Sequence, residues 1–229
     1  GAVVAGALFI GVQINHPPLD LALVASPEWT VRQSMKIAMA VLSLTGISAM
    51  YLSNVKRNGV LGLVGYLIFG AGYLMMLAVE VAALVILPAI VGTTPGYVTD
   101  VLAVAMGGKP AGDLGLFVPL NLLAGIGYML GGLVFGIALF RAGVLARWAA
   151  VLLAVATTVT MAIPLLPMVN QRLFAVPTGL AMIGLGYRPI AITARPTAAG
   201  ASFQLVWVND GFTDWLANDG LTASGYQTV

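Results

Sequence analysis

The 229-residue chain has no cysteine, one histidine and few charges, with ten Lys and Arg and eight Asp and Glu making up 8% of its residues. The lack of cysteine excludes disulfides, thiolate metal sites and cysteine nucleophiles. A single imidazole, His16, cannot supply both axial ligands of a bis-histidine haem. The segment NHPPLD around it also lacks the further nitrogen or sulfur ligands that zinc requires. No GxSxG, HExxH or glycine-rich loop followed by Lys-Ser/Thr is present, so the motif-bearing hydrolase, zincin and P-loop classes are left out. A net charge of +2 gives no nucleic-acid footprint.

Hydrophobic residues make up 60% of the chain, and the mean hydropathy is +1.00. Soluble domains are about 25% charged. This chain has too little polar surface to coat a globule in water, so its solvent is expected to be lipid. The stretch Lys56–Pro88 makes the case most directly. It opens on two cations, and from there to Thr99 it carries one charge, Glu80. Twenty-eight glycines fit the same reading, because glycine is commoner in membrane helices than in soluble ones.

The pattern predicts an all-α membrane bundle of about six helices over residues 1–188, followed by a polar tail over 189–229. The expected helices cover about 1–14, 31–52, 60–87, 116–140, 148–166 and 173–187. Helix 1 is short for a span, so it is expected either to have further residues upstream or to be shifted. LDLALVAS and YVTDVLAVAM read as short surface helices between the long ones. Gly127-x-x-x-Gly131 and Gly132-x-x-x-Gly136 mark helix faces that let another backbone approach closely in lipid. In the tail, SFQLVWV, FTDWLA and LTASGYQTV, separated by two Asn-Asp-Gly triplets, read as a small β-meander or an extended segment.

Lys56, Arg57, Arg141, Arg147, Arg188 and Arg195 fall on one side of this topology, and Arg32, Lys36, Lys109 and Arg172 on the other. The first group sits in very short turns, where positive charge best marks the cytoplasmic side. The expectation is a multi-pass protein of the bacterial inner membrane with both termini in the cytoplasm.

An ionisable residue in a membrane helix is by default a functional hypothesis. Counting from the basic turn places Glu80 near the outer rim, opposite Arg32 and Lys36. Glu80 is expected to form a structural salt bridge with Arg32 or Lys36. His16, Glu80 and the aromatic pair Tyr66 and Tyr73, a heptad apart, are the candidate ligand or ion contacts. Asp20, Glu28, Asp100 and Asp113 share the outer face but match no metal loop, and Asp210, Asp214 and Asp219 lack EF-hand spacing. No catalytic residue, metal site or cofactor is expected.

The sections HPPLD, MKIAM, LSLTGISAMYLSNVKRNGVLGLVGY, GGLVFGIALFRAGVLARWAAVLL and VPTGLAMIGLGY resemble small six-helix bacterial membrane proteins of actinobacterial type, a family described only as a domain of unknown function. The resemblance covers residues 1–187 and implies a six-helix bundle. It supplies no catalytic residues, and the polar tail departs from its pattern.

Three functional readings follow. The first is a non-enzymatic scaffold or accessory subunit whose glycine faces pack against a partner, a second copy or lipid. The second is a small transporter or ligand- or lipid-binding protein using Glu80 or the helix interruptions at Pro119, Asn121, Pro164 and Pro177. The third, an intramembrane enzyme, requires a base and a nucleophile or metal at one depth, and the sequence offers His16 with rim carboxylates alone.

Overall fold

The computed structural model describes residues 1–14, 16–53, 55–160 and 175–186, and the backbone of 188–197 and 200–208. Among these, the helices are α1 (Ala2–Gly11), α2 (Leu21–Val24), α3 (Pro27–Leu52), α4 (Val55–Val85), α5 (Leu87–Ile90), α6 (Pro95–Ala105), α7 (Phe117–Ala142), α8 (Arg147–Val159) and α9 (Ala175–Leu185). Three helical stretches, Pro27–Leu52, Val55–Ile90 and Phe117–Ala142, are long and apolar enough to cross a membrane. The expected six spans are not all of that length. As described, α1, α8 and α9 have 10, 13 and 11 residues. At 1.5 Å per residue each covers roughly 15–20 Å of a hydrocarbon core about 30 Å thick. The expected end of helix 5, residues 161–166, and the first two residues of helix 6 lie outside the described residues.

Six of these helices form a closed ring. In chain order α1, α3, α4, α7, α8 and α9 each pack on the next, and α9 returns to α1. The α4–α7 pair shows how neighbours alternate in direction. Glycines place Gly62 against Ala138, Gly65 against Phe135, Phe69 against Gly131 and Gly72 against Gly127, so each step forward on α4 is a step back on α7. The α1–α9 seam runs the same way, with Gly6 on Gly179 and Val3 on Gly186.

The ring encloses a core of Phe69, Tyr73, Phe135, Ile47, Leu153 and Met182, all buried. Phe69 is its hub, with ring centroids 5.1 Å from Tyr73, 5.9 Å from Tyr128 and 6.3 Å from Phe135. Such edge-on and tilted pairs suit the aromatic quadrupole. Outward, α4 exposes Val60, Val64, Leu67, Leu74, Val81 and Val85, and α7 exposes Leu122, Leu123, Leu130 and Ile137. Exposed apolar faces of this extent are those of a protein solvated by lipid.

The α3–α4 turn is made by two adjacent residues. Gly59 has φ 58°, ψ −159°, which separates a short first turn from the long rod beyond it. The buried Asn58 amide donates to the Tyr51 carbonyl at 3.1 Å, satisfying an end carbonyl of α3 that has no intrahelical donor. At the opposite end α2, α5 and α6 cover the bundle with a second apolar cluster of Leu23, Val24, Trp29, Leu87, Val98, Val101, Leu102 and Leu114. Pro88 has no N–H to continue α4, so the helix breaks before α5. There the buried Trp29 indole donates to the Ala83 carbonyl at 3.0 Å.

Beyond the bundle, β1 (Arg188–Thr197) pairs antiparallel with β2 (Gly200–Val208). The expected strand SFQLVWV is therefore present but pairs backwards, with the segment preceding it. The two Asn-Asp-Gly triplets and the expected later strands lie outside the described residues.

Candidate functional site

The seam between α3 and α4 carries the polar groups that the sequence reading singles out. Seven residues are close to two helical turns, so Tyr66, Tyr73 and Glu80 form one stripe along α4, spaced about 10 Å apart. Opposite each stands a polar side chain of the antiparallel α3. Near the basic turn, the Tyr66 hydroxyl lies 3.3 Å from Ser48 Oγ, and its ring stacks on Tyr51 at 4.7 Å. In the middle, Tyr73 lies beside Ser43. Both hydroxyls are buried and face each other. Towards the far rim, Gln33 Nε2 donates to Glu80 Oε2 at 2.6 Å and Lys36 Nζ lies 3.6 Å from the same oxygen.

Glu80 and Lys36 thus meet, as their distances from the basic turn suggest. Arg32 is engaged differently. Its guanidinium pairs with Glu28 at 2.8 Å and donates to the Val12 carbonyl at 3.0 Å, tying α3 to the end of α1. The i, i+4 spacing to Glu28 supplies a carboxylate one turn away, closer in sequence than the cross-helix partner expected for it.

A second polar pair crosses the ring interior. The Tyr128 hydroxyl of α7 lies 2.9 Å from Thr178 Oγ1 of α9, and both are buried. Tyr128 also packs against Tyr73, with ring centroids 5.9 Å apart. Hydroxyls from four helices, Ser43, Tyr73, Tyr128 and Thr178, therefore stand near mid-length of the bundle. Neither serine nor threonine stands out in the sequence of a membrane helix. Extending the Tyr66–Tyr73 heptad by one more step, onto Glu80, is the signal that would have found the seam.

The other acids serve local backbone. Asp20 accepts from the Leu23 N–H at 2.8 Å and caps α2. Asp100 accepts from Ala111 and Gly112, each at 2.8 Å, and Asp113 from Gly115 at 2.8 Å. His16 Nδ1 lies 2.7 Å from the Pro17 carbonyl, in the loop before α2. Among the described residues no three His, Asp or Glu side chains come together. Asp210, Asp214 and Asp219 lie outside the described residues.

The glycine motifs of α7 are occupied from within the bundle. Gly127 and Gly131 face Gly72 and Phe69 of α4, while Gly132 and Gly136 face Thr157 and Ala150 of α8. A Cβ on Gly127 would come within 2.8 Å of the Gly72 Cα. These glycines are thus helix-packing positions within the chain: α7 sits between two of its own helices, and the two glycine pairs seat them.

Compared with known proteins, the chain matches no family model, no curated sequence and no solved structure.

Proposed function

We propose that this chain is a six-crossing integral protein of the bacterial plasma membrane, with both termini on the cytoplasmic side, acting as a non-enzymatic scaffold or accessory subunit. The observation that carries this is the use made of its polar side chains. Glu80 with Gln33 and Lys36, Tyr128 with Thr178, and Asn58 with the Tyr51 carbonyl each join one helix to another. Interhelical bonds of this kind hold a bundle together in lipid. The six-crossing reading draws on the ring order and alternating directions, which run α1, α8 and α9 alongside the three long helices. It also accords with the resemblance to six-helix bacterial membrane proteins.

With the α7 glycines engaged, one apolar surface open to a partner or a second copy is the outer face of α4, through Val64, Leu67, Ala71, Leu74, Ala78 and Val81. The test is the mass of the protein extracted with its native lipid in polymer nanodiscs. A protein mass above the 23.6 kDa of one chain, with cross-links formed from cysteines placed at 67 and 74, supports the accessory role. A monomer without cross-links, in membranes where the protein is fully active in vivo, overturns it.

A second reading, a transporter or ligand-binding protein, draws on the Tyr66, Tyr73 and Glu80 stripe, which runs about 20 Å along α4. Glu80→Gln separates the two. Normal folding with loss of proton-coupled flux in liposomes favours transport, and loss of stability alone favours the structural role.

A further inference from the structure

The two ends of the bundle differ in charge. At the end bearing the α3–α4 and α7–α8 turns stand Lys56, Arg57, Arg141 and Arg147, all exposed. All five acids among the described residues, Asp20, Glu28, Glu80, Asp100 and Asp113, belong to the far half, with Arg32, Lys36 and Lys109.

Two of these cations share one turn. The α4–α7 register, with Gly62 opposite Ala138, puts the start of α4 and the end of α7, where Arg141 stands, at the same end of the bundle. Gly143 then turns the chain with φ 65°. Arg147 folds back across this turn, its Cζ 5.7 Å from the centroid of Phe140. Next to it Trp148 is 60% exposed, and Phe140 and Val151 are exposed as well. The α7–α8 turn thus presents two guanidinium groups beside an apolar and aromatic flank, with Lys56 and Arg57 at the same end of the bundle.

We propose that this turn, with Arg141, Arg147 and Trp148, binds the headgroup of an anionic phospholipid. Charge complementarity selects the occupant. A guanidinium fork matches two phosphate oxygens, and a cationic face with no acid among its described residues attracts a net negative headgroup over a zwitterionic one. Trp148 suits the headgroup level, where amphipathic rings concentrate. The exposed Phe140 and Val151 offer the acyl chains a surface beside the phosphate, which free phosphate would not use. The proposal rests on the membrane reading and is independent of the accessory role.

The test reconstitutes the full chain in nanodiscs of equal phosphatidylglycerol and phosphatidylcholine, extracts it into mild non-ionic detergent and measures retained lipid by mass spectrometry. The expected result is several-fold enrichment of phosphatidylglycerol, falling to parity in R141Q/R147Q and unchanged in K109Q at the opposite end. Parity in the wild type, or undiminished enrichment in R141Q/R147Q, overturns the proposal. If that variant does not fold, R141K/R147K keeps the charge but not the fork, and enrichment is expected to fall part of the way; undiminished enrichment there overturns the fork. Inorganic phosphate at millimolar concentration leaves enrichment intact if the lipid is the ligand. Displacement of the lipid by phosphate overturns that identity.

Discussion

Gln33 reaches Glu80 before Lys36 does: the amide Nε2 lies 2.6 Å from Glu80 Oε2, and the ammonium 3.6 Å from the same atom. Gln33 is 2% exposed. The carboxylate is therefore held by a buried neutral donor, with the cation behind it. Removing the acceptor strands a buried amide, which costs about 1–3 kcal/mol. Glu80→Ala is expected to lower stability by that amount in steric-trapping or denaturant measurements in bicelles. Glu80→Gln keeps an acceptor for Gln33 and is expected to lose less. Equal losses in the two variants would show that the charge pair dominates.

The Trp29 indole and the Ala83 carbonyl connect the cap to the broken end of α4. Trp29→Phe keeps most of the buried ring and deletes the donor. The expected cost is about 1 kcal/mol, confined to the end covered by α2, α5 and α6. Hydrogen exchange should rise in Ala83–Ile90 and not near Gly59. Unchanged protection there would mean that packing alone holds the cap.

At Gly131 an added methyl would press on the Phe69 backbone. Gly131→Ala is expected to separate α4 from α7 and to destabilise by about 1–3 kcal/mol, the range for overpacked interiors. Gly125, on the same helix, has nothing within 4 Å of a Cβ. Gly125→Ala is expected to be neutral or stabilising by up to about 1 kcal/mol. The ordering of the two midpoints checks the α4–α7 register directly.

The Tyr128–Thr178 bond can be measured by a double-mutant cycle of Tyr128→Phe and Thr178→Val. A direct interhelical bond in lipid predicts a coupling of about 0.5–1.5 kcal/mol. Additive effects would show that the hydroxyls find other partners once separated.

Much of the bundle is legible in the sequence because lipid leaves few choices. Apolar length marks α3, α4 and α7 as spans, and the basic turn KRNG fixes where α3 and α4 fold back. That fold-back is enough to bring Glu80 towards Lys36. Gln33 is not legible, because a neutral amide gives no hydropathy signal among charged neighbours at a helix start. The fold-back does not choose between Lys36 and Arg32 as the partner of Glu80, because the distance count ignores Glu28, which engages Arg32 from one turn away. The glycines of α7 show that two backbones will touch, but a single helix cannot say whose. That choice is made by the ring, a long-range arrangement absent from any local pattern. SFQLVWV reads as a strand from the Asn-Asp-Gly turn signal that follows it, while its partner RPIAITARPT, interrupted by two prolines, does not.

The ring closes between α1 and α9, the first and last of its six staves. During synthesis, α1 and α3 to α8 can associate as each emerges, yet the barrel stays open along one side until α9 follows. Over that interval the bare backbone of α1 at Gly6, shaped to receive Gly179, is left uncovered by the chain. The order of manufacture thus differs from the order of neighbours in one place alone. A circular permutant that joins α9 to α1 and opens the chain at the α7–α8 turn would keep every neighbour and shift the last seam to close from α1–α9 to α7–α8.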